Sequence, residues 1–77
     1  MTIDEKITEI VKDFVKDLKF EEAIIVKINP ATGEVEIIEE TWKMHISEVG
    51  IYMKRYLHGN PGHQLAVITN KKTIGLK

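Results

Sequence analysis

The sequence contains no cysteine, so its 77 residues cannot be held together by disulfides, and thiolate zinc frameworks are excluded with them. Aromatic residues make up only 6% of the chain. Apolar runs such as 23–26 are far shorter than the roughly 20 residues that cross a bilayer, and charges occupy the N-terminal stretch where a signal peptide would be apolar. We therefore expect a soluble, cytoplasmic protein without a membrane segment.

The length predicts a single domain spanning residues 1–77 with a modest core, because so short a chain buries only about 60–65% of its unfolded surface. The chain is 43% apolar and 30% charged, which is typical of a globular protein and not of a disordered one. Self-association is one remaining way to stabilise so small a fold. Enrichment in Lys, Glu and Ile is also found in the proteins of hyperthermophiles, although the codon bias of an AT-rich genome enriches similar residues.

The N-terminal segment predicts an amphipathic helix. Thr2 and Glu5 have the spacing of a capping box, in which each side chain satisfies a backbone N–H of the other residue. Behind this cap, apolar residues recur at intervals of three and four and form one stripe along the helix. The stripe consists of Ile3, Ile7, Ile10, Val11, Phe14, Val15 and Leu18.

The remaining elements are two hairpins separated by a second helix. Residues 23–28 are rich in β-branched side chains and predict a strand, and the turn at 29–33 contains proline and then glycine. Residues 34–42 predict the returning strand, with a bulge or twist where the alternation changes phase at Ile37 and Ile38. The second helix ends near His58, before Gly59 and Pro61. Residues 64–69 and 73–76 predict the last hairpin.

The element order α-β-β-α-β-β indicates an α+β fold, a two-layer sandwich. We expect one four-stranded, mainly antiparallel sheet with both helices on one face. The other face would then expose isoleucines unless a partner covered it, which predicts a homodimer through that face or through an edge strand. The residues expected at the interface are Ile25, Ile38, Trp42, Ile51 and Tyr52.

The charge is divided between the halves of the chain. Residues 1–42 carry eleven carboxylates and five lysines, whereas 43–77 carry six Lys or Arg and one acid, Glu48. Complementary halves would orient an assembly. Alternatively, the basic half binds nucleic acid or another anion, although a pI of 6.3 is low for such a domain. The residues of this alternative site are Lys54, Arg55, His58, His63, Lys71 and Lys72, with Tyr52 or Tyr56 stacking on bases.

The sequence shows no arrangement typical of catalysis, of a metal site or of a cofactor site. Apart from Glu48, the three histidines lack the cysteines or nearby carboxylates that would complete a ligand set. Ser47, the only serine, has the context of a helix cap. We expect a non-enzymatic module that self-associates and docks a protein partner, whose identity the sequence does not give. A nucleic-acid-binding regulator is the alternative, and a small-ligand binder or enzyme is the third reading.

Overall fold

The computed structural model describes residues 2–70 and the backbone of residues 73–76. Two helices and five strands form the fold, and a short 3-10 turn at Glu39–Thr41 follows the second strand. The helices are α1 (Ile3–Val15) and α2 (Ile46–Gly59). The strands are β1 (Glu22–Asn29), β2 (Glu34–Ile38), β3 (Met44–His45), β4 (Gln64–Thr69) and β5 (Thr73–Leu76).

Helix α1 begins at the predicted capping box. The Thr2 N–H donates to Glu5 Oε1 at 3.0 Å, and the Glu5 N–H donates to Thr2 Oγ1 at 3.1 Å. The hydrogen bond from the Thr2 N–H lowers the pKa of the Glu5 carboxyl, because it favours the charged form. Ile7 and Val11 of the predicted stripe are buried.

Neither of the two helices has the length and apolar character needed to cross a membrane.

The sheet has the strand order β2-β1-β4-β5, and every pair of neighbours is antiparallel. The two-residue β3 pairs with the beginning of β1 and extends the ladder that β2 forms with the rest of that strand. These observations confirm the predicted α+β class, with two helices and a four-stranded antiparallel sheet.

The two helices lie on opposite faces of the sheet, which corrects the expectation that both lie on one. Ile24, Val26 and Ile28 of β1 pack in one cluster with Ile7 and Val11 of α1. Ala23 and Ile25 alternate with them and pack in a second cluster with Val49 and Met53 of α2. Because successive strand residues point to opposite faces, the sheet is the middle of three layers.

The strand directions explain this arrangement. Both β3 and β4 run antiparallel to β1 on its two sides, so they are parallel to each other. The connection between them must therefore cross over β1, and α2 makes that crossing on one face. The other face of β1 carries Ile24, Val26 and Ile28 and would be exposed to water without α1. Two apolar faces on a central strand require a cover on each.

The predicted return strand at 34–42 is interrupted after Ile38. The chain leaves the ladder there, makes the 3-10 turn and rejoins β1 at β3. Thr41 fills the gap: the Ile25 N–H donates to its hydroxyl at 2.8 Å, and that hydroxyl donates to the Ile38 carbonyl at 2.6 Å. The side chain is fully buried, so it substitutes for backbone pairing that the departing strand no longer provides.

Two glycines show which local expectations the structure supports. Gly33 has φ +77°, the left-handed conformation expected for the glycine that closes the first hairpin turn. The apolar periodicity of the second helix predicts that Gly50 lies against the sheet. Gly50 is instead exposed, and a Cβ there would meet no atom within 4 Å beyond its own helix backbone and chain neighbours.

Replacing Thr41 with valine should destabilise the fold by about 1–3 kcal/mol, because the buried Ile25 N–H and the partly buried Ile38 carbonyl lose their partner while the shape is kept. Chemical denaturation of both proteins measures the difference in free energy of unfolding. Thr8→Val is the matched control, since the Thr8 hydroxyl is exposed and donates to Asp4 within the same helix; this change should stay within about 0.5 kcal/mol. Equal losses in the two variants would contradict the role given to Thr41.

Candidate interaction surface

The sequence predicted Ser47 as the cap of α2, but the residue that caps its N-terminus is His45. The Ser47 N–H donates to His45 Nδ1 at 3.1 Å, and the Ser47 hydroxyl lies 2.7 Å from the same nitrogen. The other ring nitrogen, Nε2, lies 3.3 Å from the Glu21 carboxylate. Glu21 has φ +69°, and its carbonyl accepts the Ile46 N–H at 2.9 Å. Glu21 and His45 together hold the beginning of the helix.

A serine, a histidine and a carboxylate in series is the order found in activated nucleophiles. Here, however, the Nδ1 lone pair that would receive the hydroxyl proton of Ser47 also accepts the backbone N–H of that residue. The hydrogen bonds therefore describe a helix cap. Sequence reasoning missed this cluster because Glu21 is 24 residues from His45.

The solvent-facing side of α2 combines an exposed apolar side chain with charged side chains of both signs. We define the α2 outer face as five exposed side chains on that helix: Glu48, Ile51, Lys54, Arg55 and His58. Ile51 is 60% exposed, although the packing of the helix places Val49 and Met53 in the core on the opposite side. Ile51 is therefore exposed to solvent among the charged and polar side chains of this face.

Two grooves meet at Ile51. The larger has a volume of about 880 Å³ and the smaller about 250 Å³, and both are lined by Ile51 and Arg55. The larger groove is also lined by Lys54, Leu57 and His58, and the smaller by Met44, Glu48 and Tyr52. Sequence reasoning did not assign Glu48 or Leu57 to a site, although the spacing of Glu48, Ile51 and Arg55 would have placed them in one line on a helix.

The structure brings together part of the predicted anion site. Lys54, Arg55 and His58 line the larger groove. His63 is elsewhere, in a small groove beside Lys27, Asn29, Glu34 and Glu36. Lys71 and Lys72 lie outside the described residues.

The tyrosines expected to stack on bases already have partners. Tyr52 and Tyr56 stack on each other with ring centres 6.2 Å apart, and the rings of Tyr56 and His63 are nearly perpendicular with centres 6.3 Å apart. Each ring therefore already has an aromatic neighbour, which reduces the area that could stack on a base.

The predicted interface residues do not form one surface. Ile25 is fully buried beneath α2, and Ile38 packs against the same cluster, so the open sheet face on which they were placed does not exist. Trp42 is 39% exposed but packs edge-on against Phe14 of α1 at 5.6 Å. Ile51 and Tyr52 alone lie beside each other on α2.

Tyr52 joins α2 to the 3-10 turn. Its hydroxyl donates to Glu40 Oε1 at 2.7 Å. Partial burial of the ring raises the pKa of Tyr52 to about 12, and the hydrogen bond to Glu40 and the negative charge of that carboxylate add to the effect. The contact fixes one border of the smaller groove, which Tyr52 lines.

Neither metal chemistry nor similarity to other proteins assigns a role to these surfaces. Among the described residues, no group of three or more histidine or acidic side chains could hold a metal ion. No family model matches the chain, and no curated protein or solved structure shows significant similarity to it. The geometry of the α2 outer face is therefore the observation on which a function can be argued.

The Tyr52 contact predicts a pH effect on stability. A pKa raised from 10.0 to about 12 on folding means that the folded protein favours the neutral phenol. The stabilisation is therefore complete below pH 10 and is lost as the pH rises toward 12. The tyrosinate absorbance of the wild type minus that of Tyr52→Phe should titrate near pH 12, and Glu40→Gln should move this midpoint part of the way toward 10. An unchanged midpoint would exclude Glu40 as a cause.

Proposed function

We propose that this protein is a non-enzymatic interaction module that self-associates, and that the α2 outer face is its docking surface. The observation that carries the proposal is Ile51, which is 60% exposed where two grooves meet. Covering an exposed isoleucine stabilises a complex by about 1–2 kcal/mol. Association also costs translational and rotational freedom, so this single contact supports a weak assembly and needs polar groups around it.

Those polar groups surround Ile51. Within residues 2–70, the ion pairs join Lys12 to Glu9, Lys16 to Asp13, Lys27 to Glu36 and His45 to Glu21. The charged groups of the α2 outer face take part in none of them. They are therefore available to a partner, and charged rims of this kind set the orientation and specificity of an interface.

Nucleic-acid binding is the second candidate, and the alignment of Lys54, Arg55 and His58 along one groove favours it. Against it stand Glu48 on the same helix face and the engaged tyrosine rings. Phosphate contacts release counterions, so binding would weaken steeply between about 50 and 200 mM salt. No retardation of DNA or RNA at low salt would remove this candidate.

Ile51→Ser should reduce self-association at least tenfold, because it removes the apolar centre of the docking surface. Sedimentation velocity from about 10 to 500 µM covers the range of affinity expected for so small a contact. The control is Ile46→Ser, on the same helix but about 140° away around its axis; Ile46 is 41% exposed. A wild type that stays monomeric, or equal effects of the two substitutions, would contradict the proposal.

A further inference from the structure

Three side chains form a line along α2 with opposite charges at its ends. Glu48, Ile51 and Arg55 are three and four residues apart, so they fall on one stripe of the helix, and all three line the smaller groove. The acid is at the end nearer the helix N-terminus, the isoleucine is in the middle, and the base is one turn beyond. The stripe is therefore apolar at its centre and oppositely charged at its two ends.

The helix dipole alone explains only part of this pattern. An acid near the N-terminus and a base toward the C-terminus are both favoured by the dipole. The dipole gives no reason for an isoleucine between them that is 60% exposed. In the part of the chain that the structure describes, neither Glu48 nor Arg55 has an ion-pair partner.

A second copy of the chain would supply an apolar partner for Ile51 and ion-pair partners for Glu48 and Arg55. If two α2 helices pack antiparallel about a two-fold axis at Ile51, the seven-residue spacing brings Glu48 of each copy opposite Arg55 of the other. The isoleucines then cover each other, and two carboxylate–guanidinium pairs close the contact on either side. A parallel arrangement would instead place carboxylate against carboxylate and guanidinium against guanidinium.

We propose that the occupant of the α2 outer face is a second copy of this chain, bound through an antiparallel pair of α2 helices centred on Ile51. This pairing rests on the proposed function, because it names the partner and register of the same surface. The helix has 14 residues and is about 21 Å long, so the pair buries less than a standard interface. The dimer is accordingly weak and depends on concentration and salt.

Charge reversal tests the register. Glu48→Arg places a cation at both ends of the stripe, and Arg55→Glu places an anion at both ends. Each variant alone should self-associate about tenfold more weakly than the wild type, because both contacts become repulsive. An equimolar mixture should form a heterodimer of wild-type affinity, since each contact then joins opposite charges. Sedimentation velocity of the separate and mixed proteins measures both results.

The matched control is Lys54→Glu, an equal charge reversal next to Arg55. In the antiparallel pair Lys54 faces Ser47 of the other copy, so its reversal should weaken association less and should not restore binding to Glu48→Arg. All three positions are exposed, and circular dichroism with thermal unfolding confirms that each variant is folded.

The outcomes separate this proposal from the one on which it depends. Loss of association in both single variants with recovery in the mixture supports the antiparallel pair. Association of wild-type strength in the single variants overturns it and is the result a parallel pair would give. Loss without recovery in the mixture also overturns it, even where Ile51→Ser dissociates the protein. Unchanged association of Ile51→Ser overturns the docking surface itself.

Discussion

The burial of β1 on both of its faces is the constraint on which the rest of the structure depends. Ile24 and Ile25 are adjacent, point to opposite sides of the sheet and are both fully buried. A central strand of this kind needs a cover on each face, because either face left open would expose apolar side chains of the core. Helix α1 covers one face and α2 the other, and the surfaces left for partners are the outer sides of the helices and the sheet edges.

The same topology mixes the two charge halves of the sequence. Strand β1 from the acidic half pairs with β4 from the basic half, and Glu40 and Glu21 of the acidic half contact Tyr52 and His45 of the basic half. Among the described residues, the charge division along the chain is therefore not a division in space. On the α2 outer face, Lys54 and Arg55 share the exposed side of the helix with Glu48.

The proposed docking function depends on the α2 outer face. Phe20, Trp42 and Ile46 are also exposed, but Ile51 is exposed among side chains of both charges that have no ion-pair partner in the described residues. An apolar centre surrounded by charged groups is typical of protein interfaces. Its polarity along the helix, acid before isoleucine before base, suits a partner with the same stripe in the reverse direction.

By itself the sequence determined the features that depend on neighbours within a few residues: the capping box at Thr2, the apolar stripe of α1, the turn closed by Gly33 and the end of α2 at Gly59. Only the tertiary structure decided which helix covers which face of β1, and hence that Ile25 is core and not interface. It also decided that His45 caps α2 with the help of Glu21. Alternation along a strand shows that two faces are apolar, but the element that covers each face is set by strand direction and crossover, which join residues far apart in the chain.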